Sequence, residues 1–211
     1  MVLLAMERYV ALVTGSTSGI GLGIARRLAS RGDDVILTGL GDDALITSLV
    51  EEFSSLYKGK TRHIFADLTK PEDIEKMCRE IKQFYPNGVD IIVNNAGFQH
   101  VSPVEEFPTE KWDAMLSVML SAPFHFIKNL LPDMKHKDIR SFVETKCSKN
   151  TTMGHIMVVA LETAGTGITC NAICPGYVNT PSKCAWACAI ILMLMLMVCL
   201  PLTRHHNQRK V

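Results

Sequence analysis

Short apolar runs alternate with stretches of helical periodicity over the first two-thirds of the chain. The runs predict buried strands at residues 10–14, 34–38, 62–66, 89–93 and, much later, 167–173. The intervening patterns predict helices at residues 20–30, 42–57, 71–84 and 110–131. In the first helix, Ile20, Ile24 and Leu28 recur at the spacing of one helical face. Alternation of this kind is typical of βαβ units. We therefore predict an α/β fold with a Rossmann-type, doubly wound parallel sheet.

The segment between residues 132 and 157 breaks this alternation. It is polar and basic, and it holds no run of four apolar residues that could form a central strand. Neither a fifth strand nor a last strand is recognisable, so we expect an incomplete sheet. The predicted domain covers residues 8–181, with a divergent stretch at 136–157, and residues 182–211 form an unassigned apolar tail with a basic end.

The tail contains nineteen residues without a charge, at positions 184–202. At about 1.5 Å per residue, a helix of this length could just cross a bilayer core of about 30 Å. Three interpretations stay open: a membrane anchor, a buried helix, and a tail that selection never shaped. The predicted location is cytoplasmic, with membrane association through this segment as the alternative.

Composition narrows the function classes. Twenty-two Lys and Arg residues balance 21 Asp and Glu residues, which argues against a nucleic-acid partner because no basic excess is available. The seven cysteines have no spacing that completes a zinc site, so no metal is predicted, and an odd number does not make a disulfide framework. The residues before Glu7 lack the basic region of a signal peptide.

A glycine-rich turn lies between the first strand and the first helix. Gly15 permits a tight turn, Gly19 lets the backbone approach a pyrophosphate, and Gly21 lets the helix pack close to the strand. The pyrophosphate would lie at the helix N-terminus, where free N–H groups favour an anion. The predicted cofactor-binding residues of this turn are Thr14, Gly15, Ser18, Gly19, Ile20 and Gly21. A structural glycine turn is the alternative.

The residues after the second strand bear on the choice of cofactor. Residues 38–42 contain no Arg or Lys that could meet the 2′-phosphate of NADP, and Asp42 comes late for a ribose-binding acid. NAD is therefore the predicted cofactor.

The glycine turn has the spacing GxxxGxG, NNAG follows the fourth strand, and PG follows the late strand. This order of motifs resembles the short-chain dehydrogenase/reductase family. The chain also contains TGSTSGIGLGIARRLASRG, ADLTKPEDIE, NNAGFQHVSPVEEFPTEKWDA, VVALETAGTGITCNAICPG and YVNTP. These stretches resemble the D-3-hydroxybutyrate dehydrogenase branch of that family.

The resemblance implies roles for the matched positions. Asp67 would face the adenine, Asn94 and Gly97 would line the adenosine side of the cleft, and Thr180 would bond the nicotinamide carboxamide. Gln99 would contact the substrate carboxylate, and Tyr177 would lie near the nicotinamide. The full implied cofactor set outside the glycine turn is Asp67, Leu68, Asn94, Ala96, Gly97, Pro175, Gly176, Val178 and Thr180. The alternatives are a helix-capping carboxylate for Asp67 and a turn after the strand for Asn94.

The catalytic positions of the family are poorly matched. A tyrosine and a lysine four residues later, on one helical face, would handle the proton, yet this chain contains no YxxxK. Its nearest counterpart is Phe142 with Lys146, which a chance match explains equally well. Met119 stands at the asparagine position, and the serine-bearing strand has no counterpart. Phe142 has no ionisable proton, and Met119 is suited to core packing rather than to a water relay.

The resemblance therefore implies an NAD-dependent oxidoreductase that interconverts (R)-3-hydroxybutyrate and acetoacetate, impaired in this chain. The alternative is a catalytically inactive chain that binds a nucleotide or a partner, such as a splice form or an incorrect gene model. The expected partners are a small hydroxy acid or keto acid, and a homo-oligomer is compatible with the family.

Overall fold

The computed structural model describes residues 8–135, 158–173 and 178, together with the backbone of residues 140–144. Six parallel strands form one sheet: β1 (Val10–Thr14), β2 (Asp34–Thr38), β3 (Thr61–His63), β4 (Ile91–Asn94), β5 (Arg140–Glu144) and β6 (Ile168–Ala172). Their order across the sheet is β3-β2-β1-β4-β5-β6. This is the order of a Rossmann sheet, so the predicted fold class is confirmed.

The helices follow the predicted pattern closely. They are α1 (Gly19–Arg31), α2 (Asp43–Leu56), α3 (Pro71–Phe84), α4 (Thr109–Leu116) and α5 (Ala122–Met134). A π-helical turn, Ser117–Ser121, joins α4 to α5 without a break. Pro123 explains it, because proline has no N–H to donate and its ring crowds the carbonyl four residues earlier. Residues 158–162 are also helical.

Both faces of the sheet are buried, as a parallel sheet requires. On one face, Leu12, Ile36 and Ile92 join a core cluster with residues of α3 and α5. On the other face, Val13, Leu37 and their neighbours pack against α1 and Phe53 of α2. The alternation of side chains along each strand therefore divides the core into two layers.

Helix α1 buries its small residues most completely. Its buried positions are Gly21, Ala25 and Ala29, one turn apart. Ile24 and Leu28 are half-buried at the edge of this stripe, against the same cluster. The small side chains let the helix axis lie close to β1, which brings the helix N-terminus to the end of that strand.

The prediction that no fifth strand is present was wrong. Strand β5 lies within the segment that was expected to diverge, and it pairs in register with β4, where Ile92 faces Phe142, and with β6, where Phe142 faces Cys170. Its RSFVE sequence holds only two adjacent apolar residues. Two flanking strands supply backbone partners along its length, and those hydrogen bonds do not depend on side-chain type. The predicted absence of a last strand and the tail 182–211 lie outside the described residues.

Candidate cofactor and substrate site

The order of strands reverses between β1 and β4, and ligands of open α/β sheets bind at the carboxyl ends of strands at such a point. The glycine turn lies there. Gly15 has φ 62° and Gly19 has φ 56°, a left-handed conformation that other residues rarely adopt. A Cβ on Gly21 would lie 2.2 Å from the Gly15 carbonyl oxygen, so only glycine fits. The prediction that Gly21 allows close packing is supported by this geometry.

The N-terminus of α1 points out of this turn. Ser18 is the N-cap residue with extended backbone, and its side chain makes no capping hydrogen bond to the helix. The first turn contains no acidic residue. The helix end therefore combines unshielded N–H groups with the positive end of the helix dipole, which suits a pyrophosphate.

A pair of buried polar side chains joins β1 to the end of β4. The Thr14 hydroxyl oxygen accepts hydrogen bonds from the backbone N–H groups of Asn95 and Ala96, both at 2.9 Å. The Asn95 side-chain amide donates to the carbonyl oxygens of Thr14 at 2.9 Å and Gly15 at 3.1 Å. Asn95 was quoted in the motif but given no role by sequence reasoning, and this contact shows that it anchors the glycine turn.

The turn is also joined to the end of β2. The Ser16 N–H donates to the Thr38 carbonyl at 3.0 Å, and the Thr38 N–H donates to the Ser16 hydroxyl at 3.0 Å. The Thr17 hydroxyl donates to the Leu40 carbonyl at 2.7 Å. The glycine turn and the turn after β2 are therefore joined by hydrogen bonds at the carboxyl edge of the sheet.

Asp67 is engaged locally. One oxygen of its carboxylate accepts hydrogen bonds from the N–H and the hydroxyl of Thr69, at 3.0 and 2.7 Å, and the other lies 3.2 Å from the Lys70 ammonium. The Thr69 hydrogen bonds, aided by Lys70, lower the pKa of the Asp67 carboxyl. Asp67 therefore orders the loop before α3, and Leu68 packs half-buried against the core beside it.

Aromatic side chains organise the segment after β4 that carries Gln99. The His100 ring packs edge-on against Phe107, with centroids 5.3 Å apart, and Phe107 packs edge-on against Trp112 at 6.4 Å. Sequence reasoning assigned no role to these three residues. Edge-to-face pairs of this kind hold ring orientations and so restrict the backbone beside Gln99.

Comparison with known proteins identifies the family. Residues 9–144 match the family profile described as short chain dehydrogenase. The chain belongs to the short-chain dehydrogenase family. It is 42% identical to a D-beta-hydroxybutyrate dehydrogenase of Cupriavidus necator in an alignment of 187 positions that covers 81% of this chain and 71% of that protein. It is 41% identical to a D-beta-hydroxybutyrate dehydrogenase of Rhizobium meliloti over 186 residues, covering 81% and 72% of the two chains.

Solved structures agree with this assignment. The fold matches a short chain dehydrogenase from Burkholderia cenocepacia in complex with NADP, with a TM-score of 0.75 and 25% identity over 83% of this chain and 76% of that chain. L-sorbose reductase from Gluconobacter frateurii has the same fold at a TM-score of 0.75. The resemblance expressed by the motifs is thereby confirmed.

The catalytic positions of a short-chain dehydrogenase are not assembled among the described residues. Met119 is half-buried in the π-helical turn. The backbone at Phe142 is a strand, whereas the tyrosine–lysine pair that the resemblance implies requires a helix. Lys146, Pro175, Gly176, Tyr177 and Thr180 lie outside the described residues. Val178 is described and exposed.

The described residues contain no group of three or more His, Cys, Asp or Glu side chains that could hold a metal ion. One helix among them, Thr109–Met134, is long and apolar enough to cross a membrane, and core helices of soluble proteins share that length and composition. The charge-free segment 184–202 lies outside the described residues.

Proposed function

We propose that this short-chain dehydrogenase binds NAD at the carboxyl ends of β1 and β4 and belongs to the group that acts on (R)-3-hydroxybutyrate and acetoacetate. The glycine turn carries the proposal, because a side chain at Gly21 would collide with the Gly15 carbonyl oxygen and the helix N-terminus that follows has neither a side-chain cap nor an acidic residue. Both 41–42% identical relatives bear the name D-beta-hydroxybutyrate dehydrogenase. A solved relative of the same fold holds NADP.

The residues around the turn after β2 support NAD over NADP. Asp42 caps α2 through a hydrogen bond from the Leu45 N–H, at 2.8 Å, and Asp43 occupies the first turn. Leu40 projects into solvent between the glycines of the turn. Two carboxylates and no cation within residues 38–43 make this end of the strand unfavourable for a 2′-phosphate.

We propose further that hydride transfer in this chain is slow. Bound NAD would accept the hydride from the carbon that bears the substrate hydroxyl, and the hydroxyl proton must pass to a base. The four tyrosines are followed four positions later by Val13, Thr61, Val89 and Pro181, so none has the lysine partner. A positioned proton-transfer group contributes about 10²–10⁴ in rate. The second candidate function, nucleotide binding without catalysis, is also motivated by the lack of a YxxxK pair in the sequence.

Two measurements on the full chain separate these functions. Titration with NADH, followed by fluorescence, tests nucleotide binding, and reduction of NAD by (R)-3-hydroxybutyrate tests turnover beside the Cupriavidus necator enzyme. We expect NADH binding, and turnover at least about 100-fold below that of the relative. Turnover within tenfold of the relative would refute the impairment. An absence of NADH binding would refute the nucleotide site.

A further inference from the structure

The turn that connects β2 to α2, residues 39–41, adjoins the proposed adenosine side of the nucleotide site. It follows the last residue of β2, Thr38, whose backbone is hydrogen-bonded to Ser16 in the glycine turn. Its central residue, Leu40, is 82% exposed. Burial of its own side chain therefore cannot hold this turn in place, and other contacts must do so.

Two side chains from different elements bind successive carbonyl groups of this turn. His63, the last residue of β3, places its Nε2 atom 3.3 Å from the Gly39 carbonyl oxygen. Thr17, in the glycine turn, donates a hydrogen bond from its hydroxyl to the Leu40 carbonyl oxygen at 2.7 Å. The turn 39–41 is thereby held by the edge strand β3 on one side and by the glycine turn on the other.

The chemistry of these contacts determines which form of His63 is required. A carbonyl oxygen only accepts hydrogen bonds, so the hydrogen must reside on Nε2. Burial lowers the pKa of the His63 imidazole, which favours the neutral ring at pH 7. Protonation would add a hydrogen at Nδ1 and leave the Nε2 donor in place, so the contact does not depend on pH.

Close packing removes the remaining freedom. A Cβ on Gly39 would lie 2.7 Å from the Thr17 hydroxyl oxygen, so the glycine lets the two turns touch. Thr17 is 7% exposed, so other protein atoms enclose it.

We propose that His63 is a positioning residue for nucleotide binding: together with Thr17 it fixes the turn 39–41 in the conformation that receives the adenosine half of the cofactor. The inference rests on the proposed function, and it assigns a role to a residue of the edge strand β3. If the turn is already ordered before the ligand binds, binding does not have to provide the free energy of ordering it. Loss of the hydrogen bond from His63 or Thr17 to the turn therefore weakens binding without removing a contact to the ligand.

Substitutions at His63 test the role of the donor. His63→Phe keeps a planar ring and removes the donor, whereas His63→Gln replaces Nε2–H by an amide donor at similar reach. We expect His63→Phe to weaken NADH and ADP-ribose about three- to tenfold, and His63→Gln to stay within about twofold of wild type. Binding of reduced nicotinamide mononucleotide, which lacks the adenosine half, should not change. His125→Phe, on α5, is the matched control and should bind NADH like wild type.

A second pair of variants, at Thr17, tests the same inference even if His63→Phe does not fold. Thr17→Val removes the hydroxyl at nearly constant shape, and Thr17→Ser retains it. Thr17→Val should weaken ADP-ribose about three- to tenfold, and Thr17→Ser should bind nearly as well as wild type. Thermal unfolding without ligand confirms that each variant is folded.

The outcomes distinguish this inference from the function on which it rests. If wild-type protein binds ADP-ribose and folded His63→Phe binds it equally well, the positioning role is refuted while the nucleotide site stands. An equal loss of affinity in His63→Gln and His63→Phe would also refute it, since the donor would then be irrelevant. If wild-type protein binds neither ADP-ribose nor NADH, the proposed function fails and this inference fails with it.

Discussion

Asn95 donates two hydrogen bonds to Thr14 across the point where the strand order of the sheet reverses. The Thr14 hydroxyl accepts from the Asn95 N–H, and the Asn95 side chain donates to the Thr14 carbonyl, each at 2.9 Å. Both residues are buried. Because a buried polar pair in a low dielectric is costly to disrupt, these two hydrogen bonds hold the glycine turn against the segment that follows β4.

Removal of the Thr14 hydroxyl should destabilise the protein. Thr14→Val keeps the shape but takes the acceptor from the Ala96 N–H and one of two acceptors from the Asn95 N–H, which also bonds the Val93 carbonyl. We expect the free energy of unfolding to fall by about 1–3 kcal/mol, measured by urea denaturation. Thr14→Ser retains the hydroxyl and should lose less than about 1 kcal/mol. A Val variant as stable as the Ser variant would show that the hydroxyl is not needed.

Two glycines of α1 offer a matched comparison. At Gly21 an added methyl would lie 2.2 Å from the Gly15 carbonyl oxygen, whereas at Gly23 nothing lies within 4 Å. Gly21→Ala should therefore weaken NADH binding at least about tenfold and destabilise the fold by about 1–3 kcal/mol. Gly23→Ala should raise stability by about 0.5–1 kcal/mol, because alanine is the better helix former. Similar effects of the two substitutions would contradict the close packing at Gly21.

The proposed preference for NAD can be shifted at one position. Leu40 is exposed at the tip of the turn after β2 and contributes little to the core. Leu40→Arg would supply the cation that a 2′-phosphate needs, so we expect the ratio of NADPH affinity to NADH affinity to rise about fivefold. Leu40→Gln, which adds length and polarity without charge, is the control. The rise in this ratio should disappear at high salt. An unchanged ratio for the Arg variant at low salt would show that the 2′ position of the adenosine ribose does not lie near Leu40.

Restoring a phenol at position 142 should not restore catalysis. The backbone at Phe142 is part of strand β5, paired with Ile92 of β4 and Cys170 of β6. A tyrosine there would lack the helical turn that sets a lysine beside it. We expect Phe142→Tyr to oxidise (R)-3-hydroxybutyrate no faster than wild type, within about twofold, in an assay of NADH formation. A gain of tenfold or more would instead identify position 142 as the tyrosine position.

His63 should contribute to the pH dependence of stability. Burial lowers its pKa in the folded state, so between that value and the ordinary value near 6.5 the unfolded chain binds more protons than the folded one. The contribution therefore favours folding above about pH 6.5 and is lost as the pH falls. His63→Gln should show a smaller decrease in the urea midpoint between pH 7 and pH 5 than wild type. Between pH 8 and pH 9, where the ring is neutral in both states, the two proteins should change alike.

Most of the fold was predictable because its signals are local. The helix Pro71–Phe84 begins and ends where the pattern placed it, and strands β1 and β2 have the predicted bounds. Proline at the first turn and a continuous buried run are properties of neighbouring residues, and tertiary contacts did not override them. The glycine turn was predictable for the same reason, since its spacing carries the conformational requirement.

The contacts of the site were less accessible to sequence reasoning. Asp67 could face a ligand or cap a helix, and its bonds to Thr69 and Lys70 became visible only when the loop before α3 was placed. The role of Asn95 requires that β4 lies beside β1, although 81 positions separate it from Thr14. The signal that could have found it was the buried strand directly before it, together with a side chain able to donate two hydrogen bonds.

The sequence by itself determined the family, the parallel sheet and the position of the glycine turn, and it excluded the YxxxK pair from the whole chain. Tertiary structure decided that Arg140–Glu144 is a strand, that the most deeply buried residues of α1 are small, and that His63 reaches the turn after β2. The features that the sequence determined follow from residue type and short-range spacing. The features that tertiary structure decided follow from partners that are distant along the chain, and only the paired sheet brings those partners within hydrogen-bonding distance.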